Sequence, residues 1–96
     1  MDAHLRSELE QIFGAYVRQG TLESAAGEMA ENGRAHPELA ASYATTLAAG
    51  IKAAKAGDIT ICEAVEKSGY RAPTADEAEA LITDLRRLYY IEMERP

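Results

Sequence analysis

Ninety-six residues, 47% of them apolar, make one domain around a single modest core and leave no room for a second module. A formal charge of -6 disfavours nucleic acid and anionic membranes as partners, since both would repel the domain at long range. Cys62 is the only cysteine, which excludes an intrachain disulfide and a thiolate metal cluster; with no apolar leader and no run of transmembrane length, the expected location is the cytoplasm.

In chain order, the first helix is expected from about His4 to Arg18. Leu5, Leu9, Ile12, Phe13, Tyr16 and Val17 recur there at three- and four-residue steps and share one stripe. Gly20 is placed to stop it. Thr21 then caps a second helix with a narrower apolar face of Leu22, Ala25, Ala26 and Met29; Gly27 weakens it, and Asn32-Gly33 predicts its break. Pro37 suits the first turn of a third helix, in which Leu39, Tyr43, Leu47 and Ile51 line one side until Lys52, Lys55 and Gly57 close it.

Thr60 with Glu63, and Thr74 with Glu77, match the capping pattern in which a hydroxyl and a carboxylate each satisfy a free backbone N–H at a helix start. The first pair opens a short helix ending at Ser68-Gly69. The second opens a longer one that turns Ala78, Leu81, Ile82, Leu85, Leu88 and Tyr89 inward, while its neighbour Tyr90 cannot face the same core. No alternating strand pattern competes, so the fold class is all-α: one domain, residues 1–96, folded as a compact bundle of four or five helices.

No catalytic motif is visible, and no enzyme is expected. His4 and His36, the only histidines, lie far apart and beside no cysteine or carboxylate at a recognised metal spacing, so neither metal nor cofactor is expected. His36 precedes Pro37 and reads as part of the entry to the third helix. Cys62, near Ile61 and Val65, reads as a small buried hydrophobe, with no neighbouring histidine to stabilise a thiolate. Exposed helix carboxylates such as Glu63 with Glu66, or Glu77 with Asp84, lack the burial that separates an acid from a base.

Charge is the strongest functional signal. Residues 58–84 hold seven acids against two bases, a local net of -5, while residues 1–57 net -2 and residues 85–96 net +1. First-turn acids are commonly capping and solubility devices. Gathered over one side of a bundle, however, they attract a basic protein and favour it over wrong partners. Glu63, Glu66, Asp76, Glu77, Glu79 and Asp84 are the candidate contacts. The same stretch has the layout of a helix-turn-helix, but a recognition helix beginning Asp76-Glu77-Ala78-Glu79 would push acids toward phosphates.

The segment Leu9-Glu10-Gln11-Ile12-Phe13-Gly14-Ala15-Tyr16-Val17-Arg18-Gln19 resembles the opening motif of a family of immunity proteins from contact-dependent growth inhibition toxin systems, an apolar helix ending in Phe-Gly-Ala-Tyr with a nearby Gln. The later order is similar: a helix after Pro37-Glu38-Leu39, a short helix, a Gly69-Tyr70-Arg71-Ala72-Pro73 turn and a final amphipathic helix. The chain departs from the family pattern in having Gly20, rather than Asp-Trp, after Gln19, and in lacking tryptophan.

The resemblance implies a cytoplasmic helical inhibitor that binds and neutralises one toxin domain, often a nuclease, by covering its active site or a surface beside it. Tyr16 and Gln19 are the residues that match the motif. Two alternatives share the chain's features. One is a self-associating scaffold or regulatory subunit, a homo-oligomer packed through Ala40, Tyr43, Ala44 and Ala48; the other is a phage-borne inhibitor of a nucleic-acid-processing machine.

Overall fold

The Asp2 carboxylate accepts the free amides of His4 at 2.8 Å and Leu5 at 3.2 Å, and the first helix, α1 (Ala3–Gln11), starts there. The computed structural model, which describes residues 1–95, carries α1 straight into a π-helical segment, Ile12–Val17. Its widened turn is closed by the Arg18 amide, which reaches back five residues to the Phe13 carbonyl at 3.0 Å. The periodicity predicts a single α-helix across this stretch, so the π turn is a departure from expectation. Leu9, Ile12, Phe13 and Val17 are nonetheless all buried, as their spacing requires.

Helix α2 (Leu22–Ala35) opens on a reciprocal cap, in which Thr21 Oγ1 accepts the Ser24 amide and Ser24 Oγ accepts the Thr21 amide. It does not break at Asn32-Gly33. The reason is packing: a Cβ at Gly33 would lie 3.1 Å from the Tyr89 hydroxyl and 3.2 Å from the Ala40 Cβ, so the missing side chain is what lets α2 approach its neighbours. His36 alone separates α2 from α3 (Pro37–Lys55), extended as a residue before proline prefers to be. Gly57, at φ 82°, takes the left-handed conformation that ends α3.

Helix α4 (Thr60–Glu66) and helix α5 (Ala75–Glu94) complete an all-α bundle of five helices, with no strand among the described residues. Of the expected Thr74–Glu77 box only the hydroxyl half forms among the described residues, Thr74 Oγ1 accepting the Glu77 amide at 3.2 Å with no carboxylate bond in return. The expected Thr60 cap is absent. Asp58 performs that task and Ile59 occupies the capping position, because the Thr60 hydroxyl is already donating to the Asp58 carboxylate at 2.6 Å.

Helix α5 packs along both α2 and α3, and α4 closes one end against α1 and α5. Phe13, Leu9, Met29, Leu47, Ile61, Ile82, Leu85 and Tyr89 are fully buried, each contributing about 1.5–3 kcal/mol relative to exposure. Leu81 and Leu88 pack at the edge of this core; Leu39, expected on the inner side of α3, sits in its first turn and remains 37% exposed. The surface of 5415 Å² matches that of a fully folded chain of this mass. No described helix is long and apolar enough to cross a membrane.

Across the middle of the bundle, Tyr16, Tyr43 and Tyr89 stack edge to face, with ring centroids 6.1 and 5.8 Å apart. The face of Ala40, Tyr43, Ala44 and Ala48 is therefore not a free surface for another copy. Tyr43 is 5% exposed, drawn inward because the core offers its hydroxyl a partner, and only Ala48 of the four is fully outside.

Candidate partner-binding surface

The acids of residues 58–84 run from the α3–α4 turn through α4 and along α5. Asp58 lies in that first turn. Its Oδ1 accepts the Thr60 amide at 3.0 Å, and its Oδ2 lies 2.8 Å from the Met1 ammonium. The ammonium first, and then the Thr60 hydroxyl, favour the ionised carboxylate and hold Asp58 at about 2, well below the ordinary carboxylate range. This acid is neutralised within the chain and presents no net charge outward.

The six candidate contacts divide by what each touches. Glu63 is exposed on the first turn of α4. Glu66 is exposed as well, but its Oε2 accepts the amide of buried Ala72 at 3.1 Å and so ties down the loop leading to α5. The rest of that loop is fixed locally: Ser68 Oγ donates to the Val65 carbonyl at 2.8 Å and accepts the Tyr70 amide at 3.1 Å, around a left-handed Gly69. Asp76 and Glu77 stand exposed in the first turn of α5, near its positive dipole end.

Glu79 and Asp84 are engaged elsewhere. Glu79 is partly covered and lies 3.9 Å from Lys55 of α3, while Asp84 lies 4.0 Å from Arg87 one turn along its own helix. The helical phase separates them further. Glu77 and Asp84, seven residues apart, share one flank of α5, and Glu79 falls on the other flank, toward α3. The structure thus leaves Glu63, Asp76 and Glu77 as exposed carboxylates with no ion pair among the described residues. Glu66 bonds within the fold, while Glu79 and Asp84 each lie about one ion-pair distance from a base.

Cys62 is buried, and burial raises its thiol pKa most, with the Glu66 charge next and smaller contributions from Glu77 and Asp58. A thiol so placed stays protonated and inert. Two large apolar side chains near α4 are exposed, Ile59 before its start at 74% and Tyr70 after its end at 38%. Acids are not confined to residues 58–84, since α2 also exposes Glu23, Glu28 and Glu31.

A polar cluster that the sequence does not announce lies inside the bundle. The Tyr16 hydroxyl accepts from Asn32 Nδ2 at 3.0 Å and pairs with the Tyr43 hydroxyl at 2.8 Å, linking the π segment, α2 and α3. Tyr16, one of the two motif-matching residues, is half-buried in this cluster; Gln19, the other, is exposed. Compared with protein-family models, curated proteins and solved structures, the chain matches none.

Proposed function

We propose that this chain is a non-enzymatic protein inhibitor, of the immunity type that its Leu9–Gln19 segment resembles, acting in the cytoplasm on one basic toxin domain of the nuclease kind. One observation carries the reading: Glu63 on α4 and Asp76 and Glu77 in the first turn of α5 are exposed and form no ion pair among the described residues. Exposed carboxylates without an ion-pair partner steer in a basic surface at long range. A nuclease binds its substrate through such a basic surface, so carboxylates there stand where phosphates otherwise would.

The test pairs growth protection with kinetics. The chain is co-expressed in bacteria with nuclease toxin domains, and association with the domain it protects against is followed at low and high salt. Replacing Glu63→Gln, Asp76→Asn and Glu77→Gln together is expected to slow association about tenfold and to flatten its salt dependence, with the helical signal unchanged. Association of the triple variant at the parent rate would remove the basis of the proposal.

A further inference from the structure

A cavity of about 340 Å³ on α5 is lined by Thr83, Arg86, Arg87 and Tyr90, which the three- and four-residue steps of the helix bring onto one face. Each of these side chains can donate a hydrogen bond, and no acid is among them. Arg86 is held in place: its guanidinium carbon lies 5.4 Å from the centre of the Tyr90 ring, and its Nε is buried without a hydrogen-bond partner. No acid stands within ion-pair distance of it among the described residues, and Arg87 reaches only Asp84, at 4.0 Å. In a chain of net charge -6, Arg86 and Arg87 are thus adjacent cations without a close counter-charge.

We propose that this face binds a carboxylate of an acidic peptide segment from a partner protein. A guanidinium offers a planar fork that matches a carboxylate, and one already stacked on an aromatic ring has less freedom to lose on binding. Thr83 and Tyr90 supply further hydroxyl donors. The surroundings select the kind of anion. Tyr90 and Ile91, 39% and 42% exposed, offer apolar contact that a peptide side chain beside the carboxylate can cover and inorganic phosphate cannot. The overall negative charge also repels a doubly charged phosphate more than a single carboxylate. The site is opposite in sign to Glu63, Asp76 and Glu77 and independent of the inhibitor reading.

The test follows the backbone amide NMR signals of the intact chain as the blocked peptide acetyl-Glu-Leu-Glu-amide is added at constant ionic strength. Signals of residues 83–91 are expected to shift saturably, with a dissociation constant of about 1 mM. Arg86→Gln and Arg87→Gln should each weaken binding about tenfold, as for the loss of one charge-assisted hydrogen bond. Tyr90→Leu, which keeps both charges but removes the stack, should weaken it about threefold. Arg71→Gln removes the same charge from an exposed position elsewhere and should bind as the parent does. The same peptide with Gln in place of both Glu should not bind. Shifts that never saturate, equal weakening by Arg71→Gln and Arg86→Gln, or inorganic phosphate binding more tightly than the peptide would each overturn the proposal.

Discussion

The Tyr16 and Tyr43 hydroxyls lie 2.8 Å apart, a part-buried polar contact that joins the π segment to α3. Tyr16 comes from the π segment and also accepts from Asn32 of α2, so three elements meet at one hydroxyl. A satisfied polar cluster of this kind favours one packing of the helices, because a slip breaks its hydrogen bonds. Removing the Tyr16 hydroxyl alone, as Tyr16→Phe, is expected to cost about 0.5–1.5 kcal/mol, since Asn32 and Tyr43 both lose a partner. Tyr43→Phe should cost less, because Tyr16 keeps Asn32. Urea unfolding of both variants and of their double mutant checks the order and the coupling.

The same tyrosines set an alkaline limit. Burial first, and then the hydrogen bond to Tyr16, push the Tyr43 pKa far up, and burial raises that of Tyr89. Both folded-state values lie above the unfolded one, so the stability they confer is intact below about pH 10 and is lost as pH rises toward the folded values. The chain is expected to lose stability progressively above about pH 10, with a shallower fall in Tyr43→Phe and Tyr89→Phe. Melting temperature against pH measures this directly; parallel curves for parent and variants would contradict it.

At the acid end the sign reverses. Asp58 titrates at about 2 in the folded chain because the Met1 ammonium and Thr60 favour its charge. Its contribution is fully present above about pH 5, a unit over the unfolded value of about 3.9, and is lost as pH falls through the folded value. Asp58→Asn should flatten the stability curve across that window. Asp58→Ala, which also removes the α4 cap, should cost about 1 kcal/mol at neutral pH, measured by urea unfolding.

Two glycines of α2 should respond to alanine in opposite directions. Gly27 has nothing within 4 Å of an added Cβ, so Gly27→Ala gains helix propensity and is expected to stabilise by about 0.5–1 kcal/mol. Gly33→Ala gains the same propensity but places its Cβ 3.1 Å from the Tyr89 hydroxyl and 3.2 Å from the Ala40 Cβ, neither on a flexible side chain. Forcing α2 away from α3 and α5 costs about 1–3 kcal/mol and outweighs the gain. Thermal unfolding of the two variants should shift the midpoint up and down respectively.

Features set by neighbours along the chain are legible in the sequence itself. Pro37 and Gly57 bracket α3 through backbone chemistry that needs no distant partner, and Thr21 and Thr74 cap their helices for the same reason. Features that depend on residues far apart in the chain are not. The π turn carries the same apolar spacing as an α-helix over six residues and differs only in the backbone register that places Tyr16 against Asn32 and Tyr43. Asn32-Gly33 reads as a break until Tyr89 and Ala40 explain the glycine. The Thr60 cap is a local miss, since Asp58, two residues earlier, accepts both the Thr60 amide and its hydroxyl.

That distinction also sorts the acids, which composition presents as one group. Glu66 satisfies the amide of buried Ala72, so Glu66→Ala leaves that N–H unpaired and is expected to cost about 1–3 kcal/mol. Glu66→Gln keeps an acceptor oxygen and should recover most of the loss, which separates the hydrogen bond from the charge. Glu63 makes no contact of this kind among the described residues, and Glu63→Gln should leave stability within about 0.5 kcal/mol of the parent, as for surface changes in general. Chemical unfolding of the three variants therefore divides the acids that hold the α4–α5 loop from those free to meet a partner. Equal losses for Glu66→Ala and Glu63→Gln would erase the division.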